Sequence, residues 1–159
     1  MSGQEPITLE NERVKLSPLT LDNFHRLYEI AAQDKLVQYS PSDIASKEGL
    51  KKYVETALEQ QQQKTSIPFI IFDKAANKYA GCTRYMNIHW VNKVLHIGST
   101  WIGREFQGSG LNAQMKFLML DNAFHTMMFE KVEFRVDERN IRSRKAVEKL
   151  GCTLEGILR

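Results

Sequence analysis

The sequence predicts one α+β domain built on a mostly antiparallel mixed sheet, and three features predict it. Three apolar strand segments follow one another mid-chain with only short loops between them, which favours antiparallel pairing. Segments with helical spacing of apolar residues stand before and after these strands. A strand, a glycine-bearing turn and a helix then succeed each other over residues 97–116, IGSTWIGREFQGSGLNAQMK.

Taken in order, residues 7–16 alternate well enough for one or two short strands, which Ser17-Pro18 ends. Thr20 is placed as an N-cap for LDNFHRLYEIAA, whose Leu21, Phe24, Leu27, Tyr28 and Ala31 share a helical face. Tyr39 to Asp43 reads as a proline-bearing loop. A second helix is expected over 46–63, with Leu50, Tyr53, Val54, Ala57 and Leu58 as its apolar stripe. Residues 68–72 form a buried strand, and Asn77 marks a hairpin turn. Strands at 79–88 and 93–102 follow, joined by His89-Trp90-Val91-Asn92. A long helix is expected from Asn112 to about Met128, with Met115, Leu118, Met119, Asn122 and Ala123 near one face. A strand at 131–136, a helix at 140–150 closed by Gly151, and a strand from Thr153 complete the chain. About four helices therefore flank the sheet.

The composition suits a single hydrophobic core: 159 residues, 42% hydrophobic and 26% charged. No apolar run approaches the roughly 18–20 residues that span a bilayer, and MSGQEPITLENERV lacks the order of a secretory signal. Cys82 and Cys152 have neither metal-ligand spacing nor a disulfide-rich context, so no metal and a reduced, cytoplasmic setting are expected. Residues 131–149 hold seven Lys/Arg and four Asp/Glu, the whole of the net +3. Those charges alternate in sign and lack interleaved aromatics, which argues against a nucleic-acid partner.

The chemistry sits at the turn. Strand, glycine turn and helix aim unpaired backbone N–H groups at an anion, usually a phosphate. Glycines there also serve simply for their φ > 0 freedom, so the turn alone leaves both readings open.

The turn resembles the acyl-CoA pyrophosphate loop of the GNAT N-acetyltransferases, Arg/Gln-x-x-Gly-x-Gly/Ala, with Gln107, Gly110 and Asn112 in those places. Residues 140–156, NIRSRKAVEKLGCTLEG, are similar to the family's second motif, and with IGSTW at 97–101 they resemble the ribosomal-protein N-terminal acetyltransferase branch. The resemblance covers residues 7–159. It implies a GNAT-type fold, acetyl-CoA as donor, and direct attack of a primary amine through a tetrahedral intermediate. Gln107, Gly108, Ser109, Gly110, Leu111 and Asn112 would hold the pyrophosphate. Trp101 and Ile102 would pair through their backbone with the pantetheine, and Asn140 would bind the same arm. By charge, Arg104, Arg142 and Lys145 are candidates for the adenosine phosphates.

Three departures from the pattern bear on catalysis. Asn112 replaces a small residue, and its side chain could cap the helix. His96 stands where many relatives place a Glu, and an imidazole can serve as a general base at neutral pH. Val147 replaces a tyrosine acid, leaving Ser143 as the nearest group to protonate the leaving thiolate. Because an α-amine titrates near about 8 and a lysine near about 10.4, such a site suits an α-amine or a small amine better than a lysine. Tyr39, Tyr85, His89 and Trp90 are candidates to line the acceptor cleft. The acceptor could be a protein N-terminus, a free amino acid, a polyamine or an aminoglycoside-like amine. Cys152 is expected to pack as a small hydrophobe. A non-catalytic acyl-CoA-binding or regulatory module is the alternative. Relatives continue for a strand or two past the position of Arg159, so the last strands are expected to be missing; C-terminal truncation is favoured over a homodimer that covers the edge.

Overall fold

A computed structural model describes residues 7–33, 44 and 46–134. Tyr39, Asn140, Arg142, Ser143, Lys145 and Cys152 lie outside the described residues, as do the expected helix at 140–150 and the strand from 153.

Among the described residues, six strands form one sheet in sequence order: β1 (Leu9–Glu10), β2 (Val14–Pro18), β3 (Ile67–Asp73), β4 (Lys78–His89), β5 (Val94–Ile102) and β6 (Lys131–Phe134). Neighbours are antiparallel except β5 and β6, which run parallel. Short hairpins explain the antiparallel part. Asn77 (φ 54) and Lys93 (φ 57) supply the left-handed residues that such tight turns need. The parallel pair needs a crossover, and helix α3 (Leu111–Asp121) provides it.

The alternation of each strand divides the core between two faces. On one, Val14, Leu16, Phe69, Tyr85, Leu95 and Ile97 pack with Leu111, Met115 and Met119 of α3. On the other, Ile70, Cys82 and Trp101 pack with Leu27 and with Leu50 and Val54 of α2 (Lys47–Gln62). Helix α2 begins where its cap stands: Ser46 Oγ accepts from the Gly49 N–H at 2.9 Å.

The first helix is shorter than its apolar spacing predicts. The Asn23 side chain accepts from Thr20 N–H at 2.9 Å and donates to Pro18 O at 2.9 Å, competing with helical bonding. A 3₁₀ turn at Phe24–Leu27 therefore leads into a single α turn, α1 (Tyr28–Ala31). The expected long helix after the glycine turn also differs. It is α-helical to Asp121, then widens into a π turn over Asn122–Thr126, and Met128 at φ 62 ends it. The wide turn holds both Asn122 and Ala123 against the sheet.

Strand β5 carries a bulge. Cys82 pairs with Trp101 and Arg84 with Gly98, so Ser99 and Thr100 together oppose Thr83. Close by, a Cβ on Gly81 would lie 2.0 Å from the Trp101 carbonyl oxygen, so only glycine lets β4 approach β5 there.

Candidate active site

After Ile102, Gly103 donates to Ala80 O at 2.8 Å, and a short 3₁₀ turn at Arg104–Phe106 leads to the glycines. Gln107 is extended, and Gly108 (φ 77) and Gly110 (φ 89) are both left-handed, Gly110 acting as the N-cap of α3. The chain then enters a helix of 11 residues whose first turn holds no acidic side chain. Ser109 organises the turn: its hydroxyl donates to Phe106 O at 2.5 Å and accepts from Leu111 N–H at 3.4 Å. Among the described residues, the N–H groups of Gly108, Gly110, Asn112 and Ala113 have no acceptor. Together with the positive end of the helix dipole they make an anion site, and a Cβ at Gly108 would meet only open space. This arrangement fits the pyrophosphate of coenzyme A. The Asn112 side chain does not cap the helix; α3 has no side-chain cap.

The other predicted donor-site residues brace the turn or remain near it. The Gln107 amide donates to Ile102 O at 3.3 Å, tying the turn to the end of β5. Arg104 is exposed, and its backbone N–H donates to Gln33 Oε1 at 2.9 Å. Leu111 is fully buried and anchors the helix start in the core. Trp101 buries its ring against Tyr53 on the α2 face, and its indole N–H has no partner among the described residues.

Spacing gave no sign of Arg13, in the bend just before β2. Its Nε lies 3.2 Å from Asp73 Oδ1, and its Nη2 donates to Ser109 O at 3.2 Å and to Ser109 Oγ at 3.3 Å. The nearly buried Asp73 carboxylate thus fixes a cation beneath the glycine turn.

His96 lies on β5 with only 8% of its side chain exposed. Its Nδ1 is 3.2 Å from Asn87 Nδ2, and its Nε2 is 3.6 Å from Glu133 Oε1 on β6. Parallel register pairs His96 with Glu133 directly, and Met86 faces His96 from β4. This cluster occupies the sheet face opposite α3, whose first turn holds the anion site.

The structure does not gather the predicted acceptor residues around His96. Tyr85 points into the α3 face as a fully buried core residue, donating its hydroxyl to Met119 O at 2.6 Å and accepting from Asn122 at 3.2 Å. Burial pushes its phenol well above the ordinary range, the Asn122 bond partly opposing. Trp90 clamps the β4–β5 hairpin instead, donating to Lys64 O at 2.7 Å and packing edge-on to Phe129. His89 is exposed at the end of β4.

Lys116 is a second residue that the pattern hides. It is buried on α3, donates to Thr100 Oγ1 on the β5 bulge at 2.8 Å, and lies 5.6 Å from the Phe134 ring centre. Cys82 is a buried free thiol, and burial pushes it up to about 12. Among the described residues, no cluster of three or more His, Cys, Asp or Glu could hold a metal, and no helix is long and apolar enough to cross a membrane.

Residues 13–153 match the acetyltransferase (GNAT) domain. No curated protein matches the sequence. Among solved structures, the chain resembles a GCN5-related N-acetyltransferase from Brucella melitensis at 24% identity and a TM-score of 0.84, covering 98% of this chain and 72% of that one. A ribosomal-protein-S5-alanine acetyltransferase from Vibrio fischeri is similar at 21% identity and a TM-score of 0.74, covering 94% and 85%. RimL, a ribosomal L7/L12 α-N-protein acetyltransferase solved with coenzyme A, is similar at 22% identity and 0.79, covering 94% and 86%. At these identities the structures speak for the fold.

Proposed function

We propose, for a chain that belongs to the GNAT acetyltransferase family and so is an acetyl-CoA-dependent N-acetyltransferase, that the acceptor is a peptide or protein α-amine or a small amine rather than a lysine. One observation carries this reading. The unpaired N–H groups of the glycine turn lie at the start of α3, on one side of the sheet, and the His96 cluster lies on the other. On this reading donor and acceptor approach from opposite faces of the sheet.

Acetyl-CoA supplies an activated thioester: the amine nitrogen bonds to its carbonyl carbon, the C–S bond breaks, and CoA leaves as a thiolate that takes up a proton. Around that exchange the protein binds and orients. Gly108, Gly110 and Asn112 donate backbone N–H groups to the pyrophosphate, while Gln107, Ser109 and Leu111 hold the turn in shape. Trp101 and Ile102 present the β5 backbone to the pantetheine, and an N–H there polarises the thioester carbonyl. Arg104, Arg142 and Lys145 serve the adenosine phosphates, Asn140 the pantetheine, and Ser143 the leaving thiolate. The proton of the attacking amine is taken up at His96 and the groups around it. An α-amine, far more often unprotonated near pH 7 than a lysine, needs only a modest base. Residues 1–159 act as one domain, in the cytoplasm, and a homodimer is compatible with the reading.

The test is release of CoA thiol with a panel of amines. Turnover with short peptides bearing a free α-amine supports the reading; turnover confined to lysine side chains overturns it.

A further inference from the structure

We propose that the acceptor carries a carboxylate close to its amine, and that Arg84 and the Trp101 indole N–H bind that carboxylate on the α2 face of the sheet. The proposal rests on the reading of acetyl transfer to an α-amine and names the class of acceptor.

Alternation and register put the groups in line. Thr83 and Tyr85 turn to Met119 of α3, so Cys82, Arg84 and Met86 turn to the α2 face. Their register partners on β5 are Trp101, Gly98 and His96. The row runs from Trp101 past Arg84 to His96, along the face from which the acceptor approaches. Gly98 adds no side chain to it, and the Met86 thioether fills that place, 2.8 Å from where a Cβ would stand.

Tyr53 of α2 joins the two donors. Its ring centre is 6.4 Å from that of Trp101, and the Arg84 guanidinium carbon lies 5.4 Å from it. Arg84 Nη1 also donates to Gln60 Oε1 at 3.2 Å. Ring and amide together hold the guanidinium in the row.

The indole is the observation that points to a ligand. Trp101 is only 6% exposed, and its N–H has no acceptor among the described residues. Buried donors are nearly always paired, so an orphan beside a fixed cation marks the place of a ligand oxygen. Indole and guanidinium are donors only, so the group they share accepts hydrogen bonds, and the charge selects an anion.

The other end of the row has the opposite sign, because Glu133 lies 3.6 Å from His96 Nε2. Successive positions on one face of a strand stand about 7 Å apart. An α-amine with a carboxylate nearby fits that polarity, amine toward His96 and carboxylate toward Arg84. A polyamine or an aminoglycoside brings only positive charge to Arg84 and is rejected by it. The carboxylate belongs either to a free amino acid or to an acidic second residue of a peptide, which present the same chemistry.

Two measurements on the full chain test this, and the first needs no turnover. With CoA bound, the two indole N–H proton signals are followed while an amidated peptide whose second residue is glutamate is added. The Trp101 signal, assigned with Trp90→Phe, should move toward the hydrogen-bonded range, while that of Trp90, already donating to Lys64 O, should stay. Free glycine should act on the same signal if a free amino acid is the source, and spermidine should leave it in place. A Trp101 signal that neither glycine nor the glutamate peptide moves overturns the proposal.

The second is thiol release with the glutamate peptide, its glutamine counterpart, glycine and spermidine. If a peptide is the acceptor, kcat/KM should favour glutamate over glutamine about tenfold, the worth of one hydrogen bond to a charged group. If a free amino acid is, glycine should turn over and the peptides should not. For either source Arg84→Gln should cost about tenfold in acceptor kcat/KM, with KM for acetyl-CoA unchanged, and Arg84→Lys should restore part of it. An Arg84 that only supports the fold would lower both peptides alike. Equal turnover of the two peptides in the wild type, or turnover of spermidine alone, overturns the proposal and leaves the family's chemistry standing. A wild type silent with every amine fails the transfer reading instead, and the indole signal still decides the carboxylate site.

Discussion

Arg13 reaches from the bend before β2 to the glycine turn, its Nη2 3.2 Å from the Ser109 carbonyl oxygen while its Nε holds Asp73 at 3.2 Å. A buried carboxylate, a cation and the turn's central residue therefore form one line. Arg13→Ala should strand Asp73 and loosen the turn together. We expect a loss of about 2 kcal/mol in urea unfolding, typical for a hydrogen bond to a charged group. KM for acetyl-CoA should rise roughly tenfold, the worth of about 1.4 kcal/mol of binding. Unfolding and KM unchanged in that variant would break the link.

The glycines of the turn can be separated from their surroundings. Gly110 sits at φ 89 and Gly108 at φ 77, and a Cβ on Gly108 meets no atom within 4 Å. Alanine at either place should cost about 1–2 kcal/mol through backbone strain alone. Asparagine, which tolerates the left-handed region, should recover part of that loss at 108. Calorimetric CoA titration should show weaker binding in both alanine variants.

Gly81 tests packing away from the turn. Its added Cβ would lie 2.0 Å from Trp101 O and 2.9 Å from Ile102 Cα, both backbone and unable to swing aside. Gly81→Ala should destabilise by about 3 kcal/mol. Because it displaces the β5 edge at Trp101, it should also weaken CoA binding.

Much of this architecture could be read from residue patterns, and the misses share a cause. The Leu50–Val54–Ala57 stripe, the Asn77 turn and the glycine turn all depend on neighbours in sequence, and each stands where local chemistry puts it. What could not be read depends on distant partners. Arg13 meets Ser109 across 96 positions. Tyr85 turns to the α3 core because its register partner is Ile97, which aromatic character alone does not disclose. Lys116 looks like a solvent residue on a helix and is buried over the β5 bulge. Asn23 shortened α1 by bonding to backbone that the apolar spacing left out of account.

Tyr85 gives a contrast between stability and activity. Tyr85→Phe removes the donor to Met119 O and leaves that buried carbonyl without it. The cost should be about 1–3 kcal/mol in unfolding, with kcat and the acceptor KM little changed. A raised acceptor KM with normal stability would return Tyr85 to the acceptor cleft.

The buried Cys82 thiol gives a pH prediction with a definite sign. Burial in the fold raises it from the ordinary 9.0 to about 12. Between those two values the unfolded chain has lost a proton that the folded chain keeps, so stability falls as pH rises. The slope contributed by this group is at most about 1.4 kcal/mol per pH unit. Unfolding free energies from pH 9 to 11 should decline less steeply in Cys82→Val. At pH 8 the native Cys82 should not react with a thiol reagent in a Cys152→Ser background.

The most direct measurement presents the full chain with acetyl-CoA and two peptides of one sequence class. One has a free α-amine and no lysine; the other has a blocked α-amine and a single lysine. The account predicts thiol release with the first, matched by one acetyl group on its N-terminus, and little with the second. Release with the lysine peptide alone would contradict it.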